Sequence, residues 1–69
     1  MATRIYRMIE LVGTSTKTIE DAVNNALGSK VARKPTDQRW LQVIETRGAI
    51  KDGKVSEWQV TVKVGMADR

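Results

Sequence analysis

DGKVSEWQVTVKVG, residues 52–65, carries the clearest secondary-structure signal in this 69-residue chain. Asp52 and Gly53 suit the positive φ angles of a tight hairpin turn. After this turn, one tryptophan and three valines alternate with polar residues, which is typical of a strand with one buried face. The apolar stretch 39–50 before the turn reads as the matching strand. The segment therefore predicts a long antiparallel hairpin formed by 39–50 and 55–65.

The N-terminal half of the chain predicts one further strand and one helix. Residues 3–12 are rich in apolar side chains and read as a strand. Thr14 or Ser15 can then cap a helix, because a side-chain oxygen accepts a hydrogen bond from a free backbone N–H. Apolar residues at three- and four-residue spacing extend this helix over about four turns. We expect it to end between Gly28 and Arg33, which gives a β-α-β-β order of the α+β class.

Size and composition favour association of subunits. A chain this short forms one small domain and usually needs an additional source of stability. Cysteine and histidine are absent, which excludes disulfides and the usual kind of zinc site. The strand 39–50 has apolar residues on both faces, which a monomer would leave partly exposed. We therefore expect an oligomer that associates through the hairpin.

The absence of cysteine and the N-terminal sequence favour a cytoplasmic protein without a membrane span. No apolar run approaches the roughly 20 residues of a transmembrane helix, and the first ten residues lack a signal-peptide core.

The net charge of +4 would suit a small nucleic-acid-binding module. No RNA-binding sheet motif is present, however, so we expect no nucleic-acid partner.

Catalysis is not expected from this composition. General acid–base chemistry near neutral pH relies mostly on histidine, and covalent catalysis often on cysteine. The carboxylates are scattered without a catalytic spacing. A calcium site built from carboxylates of neighbouring subunits stays open as an alternative, although nothing in the sequence favours it.

Three polar or aromatic side chains of the hairpin have both a structural and a binding interpretation. Trp40 is either a core or interface residue, or a stacking platform for a flat ligand. Gln59 is either a solvated strand residue, or an amide that reads the edge of a heterocycle. Arg47 forms a surface ion pair or contacts an anion. Trp58 shares a face with the valines and is expected in the core or an interface.

Four segments, taken in order, resemble the dodecin family of small flavin-binding proteins. Each motif alone is weak, but the ordered set is specific and covers nearly the whole chain as a single dodecin-like domain, 1–69. The matching segments are YRMIELVGTS (6–15), IEDAVNNAL (19–27), RWLQVIETRGAI (39–50) and DGKVSEWQVTVKVG (52–65).

The resemblance implies a structure and a set of ligand contacts. The expected subunit has a three-stranded antiparallel sheet that partly wraps one helix, and twelve subunits form a hollow sphere. Flavins are expected in stacked pairs between subunits, held between two copies of Trp40. Gln59 would hydrogen-bond the ring edge and Arg47 would lie near it, with Gln42 and Val43 beside the ring. The implied role is storage of riboflavin, flavin mononucleotide (FMN) or the dinucleotide (FAD), with quenching of flavin photochemistry.

Departures from the family pattern keep a second function open. Leu41 and Gln42 replace a phenylalanine and a glutamate, and the helix end, 28–39, is slightly longer. The tail VGMADR, 64–69, lacks the phenylalanine and arginine that the family carries there. The alternative is a structural oligomer that has lost flavin binding, or that binds a coenzyme A-type molecule or calcium instead.

Overall fold

The computed structural model describes residues 4–32 and 35–67 of the chain. The predicted β-α-β-β order is confirmed, with two short 3₁₀ turns between the helix and the second strand. The elements are β1 (Tyr6–Ser15), α1 (Ile19–Leu27), the 3₁₀ turns Lys30–Ala32 and Pro35–Asp37, β2 (Gln38–Lys51) and β3 (Lys54–Ala67).

The three strands form one antiparallel sheet with β3 in the centre, in the order β1-β3-β2. The predicted hairpin is confirmed, because β2 pairs with β3 from Gln38 to Lys51. Its turn has φ angles of 53° at Asp52 and 77° at Gly53. Two consecutive positive φ angles are those of a type I′ turn, whose twist matches the flanking strands.

The hydrophobic core lies between α1 and the face of β3 that the alternation predicts. Four side chains of β3 and two alanines of α1 are buried, and Trp58 packs against them as expected. β3 continues to Ala67, beyond the predicted end at 65, because Met66 keeps the same alternation and completes the core. The buried cluster consists of Ala22, Ala26, Val60, Val62, Val64 and Met66.

The helix begins later than predicted. Its N-cap is Thr18, whose side-chain oxygen accepts a hydrogen bond from the backbone N–H of Asp21 at 3.0 Å. Neither Thr14 nor Ser15 is the cap, because both belong to β1. The hydroxyl of Ser15 instead accepts from the N–H of Lys17 at 2.9 Å and donates to the Asp21 carboxylate at 2.7 Å. These bonds fix the turn that leads from β1 into α1.

The helix is also shorter than the four turns predicted. It has nine residues, Ile19–Leu27, which is about two and a half turns. Gly28 is its C-cap, and the N–H of Gly28 donates to the carbonyl of Asn24 at 2.9 Å. Ile19 lies at the first turn of this short helix and is exposed.

Gly13 brings the helix and the sheet into backbone contact. A Cβ atom built on Gly13 would lie 1.9 Å from the carbonyl oxygen of Ala22 and 2.9 Å from the Cβ of Ala26. Both neighbours belong to the helix, so neither can move without moving α1. The packing distance between α1 and β1 therefore depends on the missing side chain at Gly13.

The helix packs mainly against β1 and β3. At the start of β2, the side chain of Gln38 donates a hydrogen bond to the carbonyl of Leu27 at 2.9 Å. The sheet is long, since the described residues span 56 Å in their longest dimension. Within 4–32 and 35–67, no helix is long and apolar enough to cross a bilayer. The apolar residues of β2 that are exposed are Trp40, Leu41, Val43, Ile44 and Ile50.

We predict that Gly13→Ala lowers the stability of the fold by about 3 kcal/mol, at the upper end of the usual cost of overpacking, because backbone atoms meet the new methyl group. The control is Gly28→Ala, whose Cβ would lie 3.4 Å from the nearest atom, the carbonyl oxygen of Asn24. Thermal unfolding followed by circular dichroism measures both. Equal melting temperatures for the two variants would contradict the backbone contact.

Candidate functional site

The sheet has one face that the helix does not cover, here called the open face. Directly paired residues of neighbouring strands point to the same side, so the register assigns each side chain to a face. The valines of β3 lie on the helix side together with their partners. Away from the hairpin turn, the open face carries Tyr6, Met8, Glu10, Val12 and Thr14 of β1, Trp40, Gln42, Glu45, Arg47 and Ala49 of β2, and Glu57, Gln59, Thr61, Lys63, Gly65 and Ala67 of β3.

Four of the five predicted site residues lie on the open face. Trp40 pairs with Gly65, Gln42 with Lys63, and Arg47 with Gln59. The fifth, Val43, pairs with the core residue Val62, so its side chain lies on the helix side of the sheet. The structure thus separates Val43 from the other four by the thickness of the sheet.

A β-bulge in β2 places Arg47 on this face. The register shifts between Val43 and Glu45, so that Ile44 has no partner of its own. In a regular strand, Trp40 and Arg47 would point to opposite sides, because their separation is an odd number of residues. The extra residue inverts the alternation after Ile44. Trp40 and Arg47 therefore share one face.

Trp40 is held by two neighbours on the open face. Its indole lies over Gly65, where a built Cβ would be 2.2–2.5 Å from three ring atoms. Tyr6 makes an edge-type contact with it, with ring centroids 5.1 Å apart and an interplanar angle of 71°. Trp40 nevertheless remains 44% exposed. This arrangement orients an aromatic ring and leaves part of its surface accessible for stacking.

Gln59 lies in a separate polar cluster. The Nε of Arg47 donates to the Gln59 Oε1 at 2.7 Å, and the Gln59 Nε2 donates to the Glu57 carboxylate at 3.1 Å. The Arg47 guanidinium also lies 3.9 Å from the carboxylate of Glu45. Among the described residues, no three carboxylates come together in a way that could hold a metal ion.

One chain does not bring Trp40 and Gln59 together. Trp40 is opposite Gly65, which is six positions from Gln59 on β3. At a rise of about 3.3 Å per residue, the two sites are roughly 20 Å apart along the strand. A fused three-ring ligand is too short to contact both residues of the same chain.

A pocket of about 180 Å³ borders Trp40 at the end of the helix. Pockets that enclose a drug-sized ligand usually exceed about 300 Å³, so this pocket of a single chain is too small to enclose a ligand of that size. The Arg39 guanidinium donates to the carbonyl oxygens of Thr36 and Gln38, within its own loop. The pocket is lined by Leu27, Gln38, Arg39, Trp40, Leu41 and Val64.

Three residues of the site were not found by sequence reasoning. Tyr6 and Gly65 contact Trp40 only because the register aligns β1, β3 and β2. A glycine opposite an aromatic residue across a sheet is a recognised pairing, but the pairing partner cannot be read from one strand. Glu57 was grouped with scattered carboxylates, although its two-residue spacing from Gln59 places both on one face.

The fold and the open face together define a small β-α-β-β protein with an aromatic platform and a distinct polar cluster on one uncovered sheet surface. The family model of the dodecins matches residues 5–67, and the chain belongs to the dodecin family. A dodecin from Thermus thermophilus is 41% identical to it over 63 residues, which cover 90% of this chain and 88% of that protein.

Solved structures of dodecins agree with this fold. The structure of dodecin from Streptomyces coelicolor has a TM-score of 0.87 at 36% identity and covers 100% of this chain and 97% of its own. Dodecin from Streptomyces davaonensis has a TM-score of 0.86 at 32% identity and covers 99% and 98% of the two chains. The β-α-β-β subunit with its three-stranded antiparallel sheet is therefore confirmed.

We predict that Gly65→Ala displaces the indole of Trp40, because the added methyl would overlap the ring, while the fold survives since an exposed side chain can move. The variant is made in a Trp58→Phe background, where Trp40 is the remaining tryptophan. We expect a changed near-UV circular dichroism signal and a shifted tryptophan emission maximum.

The matched control is Gly48→Ala in the same background. Gly48 lies opposite position 58 on the helix side, and its built Cβ would be 3.3 Å from Val55. Its Trp40 signals should match those of the parent. If Gly65→Ala also left them unchanged, the proposed seat of the indole on Gly65 would be wrong.

Proposed function

We propose that this chain is a single dodecin-like domain, 1–69, that binds flavin and buffers it in the cytoplasm. The ligand is riboflavin, FMN or FAD, and the expected assembly is a homododecamer with flavins stacked in pairs. The protein stores and shields the flavin and does not turn it over. Membership of the dodecin family supports this proposal.

The observation that carries the proposal is the position of Trp40. Its indole is oriented by Gly65 and Tyr6 and remains half-exposed on an uncovered sheet face. A flat heterocycle gains from offset stacking on such a ring. Close stacking also favours quenching of the excited flavin, which agrees with a protective role.

A site between subunits follows from the separation of the ligand residues. Trp40 and Gln59 lie roughly 20 Å apart along one chain, from a rise of about 3.3 Å per residue. A flavin that stacks on one and hydrogen-bonds the other must therefore contact two chains. In this proposal, Gln59 and Arg47 of one subunit serve the ligand held by Trp40 of another.

The exposed apolar surface supports association of the subunits. Val12 is 59% and Ile50 is 74% exposed in the isolated chain. The other exposed apolar residues of β2 add to this surface on both sides of the sheet, and large exposed apolar patches mark interaction surfaces. Contact with further copies of the chain would bury this surface.

We predict that Trp40→Ala weakens flavin binding by about 1–3 kcal/mol, the range that aromatic stacking contributes in base binding. Apo-protein is titrated into riboflavin and FMN in parallel, and quenching of flavin fluorescence is followed. The unaltered protein should quench strongly and saturate near one flavin per subunit. The better ligand identifies the cargo.

The matched control is Trp58→Phe, which changes the tryptophan on the helix side of the sheet and should preserve binding. An unaltered affinity of Trp40→Ala would contradict the assigned platform. If the unaltered protein forms an oligomer that ignores both flavins, the alternative of a structural oligomer with another ligand is favoured.

A further inference from the structure

The amide of Gln59 is held from both ends within its own chain. Its Oε1 accepts from the Arg47 Nε at 2.7 Å, and its Nε2 donates to the Glu57 Oε1 at 3.1 Å. Register accounts for both contacts. Arg47 is the direct cross-strand partner of Gln59, and Glu57 lies two residues before it on the same face of β3.

These two neighbours permit one orientation of the amide. The guanidinium of an arginine can only donate hydrogen bonds, and an ionised carboxylate can only accept them. A Gln59 amide turned by 180° would direct its oxygen at the carboxylate and its NH₂ group at the guanidinium. Both hydrogen bonds would then be replaced by repulsive contacts.

The oriented amide has one donor and one acceptor left over. Of the two N–H groups of an amide, one is used by Glu57, and of the two oxygen lone pairs, one is used by Arg47. The free N–H and the free lone pair belong to the two neighbouring heteroatoms of one planar group, in the order that these two hydrogen bonds set. Their complement is a ring edge on which a carbonyl oxygen and an N–H group are adjacent.

We infer that Arg47 and Glu57 are positioning residues that make Gln59 selective for a heterocycle with an adjacent N–H and carbonyl, as in a cyclic imide. The inference rests on the proposed flavin-binding function and adds a specificity to it. The pyrimidine ring of a flavin has such an edge. A ligand methylated on that nitrogen leaves the Gln59 oxygen without its donor.

The test compares riboflavin with N3-methylriboflavin in flavin-fluorescence titrations of the assembled protein. We expect the unaltered protein to prefer riboflavin by about 10- to 100-fold, since an unsatisfied buried acceptor is costly. Glu57→Ala removes one of the two contacts that orient the amide and leaves Arg47 as the other. It should weaken riboflavin binding by about 2- to 10-fold and reduce the preference for riboflavin by a similar factor.

Glu57→Gln is the conservative variant, because its side-chain oxygen can still accept from the Gln59 amide. It should keep most of the preference. Glu20→Ala removes a carboxylate from the helix and controls for the change in net charge. Light scattering and thermal unfolding of each variant establish that the assembly is intact.

Three results would overturn the inference. The first is a preference in Glu57→Ala equal to that of the unaltered protein. The second is a loss of preference in Glu57→Gln as large as in Glu57→Ala, since this would assign the effect to charge. The third is a failure of the unaltered protein to bind riboflavin, which would overturn the proposed function as well. The first two leave Trp40-dependent flavin binding in place, so the two failures are distinguishable.

Discussion

A nine-residue helix cannot cover a sheet built from fourteen-residue strands, and most features of the molecule follow from this mismatch. The helix α1 is about 14 Å long and the strands β2 and β3 are about 46 Å long, from their rises per residue. Gly13 lets the helix approach β1 closely, which concentrates the core over β1 and β3. Most of β2 and the whole open face remain uncovered. The candidate binding residues Trp40, Arg47 and Gln59 lie on the face of the sheet that the core does not use.

The open face has two local environments, because the strand register gives Trp40 and Gln59 different neighbours at two positions along β3. At one end, Gly65 leaves room for an indole that Tyr6 supports from the side. Further along β3, Gln59 lies between a donor and an acceptor, where its amide has one favourable orientation. Aromatic stacking adds affinity but fixes the orientation of a ligand only weakly, whereas hydrogen bonds to the oriented amide fix that orientation. A ligand that needs both must join two subunits, which couples binding to assembly in the proposed function.

The sequence predicted those features that depend on neighbouring residues. The turn at Asp52 and Gly53, the alternation of β3 and the order of the elements were all predicted, as was the family. The predicted N-cap was wrong. Ser15 and Thr18 are both good capping residues, but β1 extends to Ser15, so the helix can begin only after Thr18. The helix is shorter than the four turns predicted because it starts only at Ile19 and stops at Gly28, the first position of the range predicted for its end.

The candidate site residues were named from the sequence one by one, but the geometry around them depends on cross-strand pairing, which a single sequence does not contain. Trp40 and Gln59 stood out by residue type, whereas Tyr6, Gly65 and Glu57 gain their roles only from their neighbours in the sheet. The bulge at Ile44 shows the physical reason most clearly. One unpaired residue decides whether Arg47 lies on the open face beside Gln59 or on the helix side. Alternation counted along β2 alone would place Arg47 on the opposite side of the sheet from the Gln59 amide. The proposed specificity of the polar cluster therefore depends on the β-bulge at Ile44, which the hydrophobic pattern does not reveal.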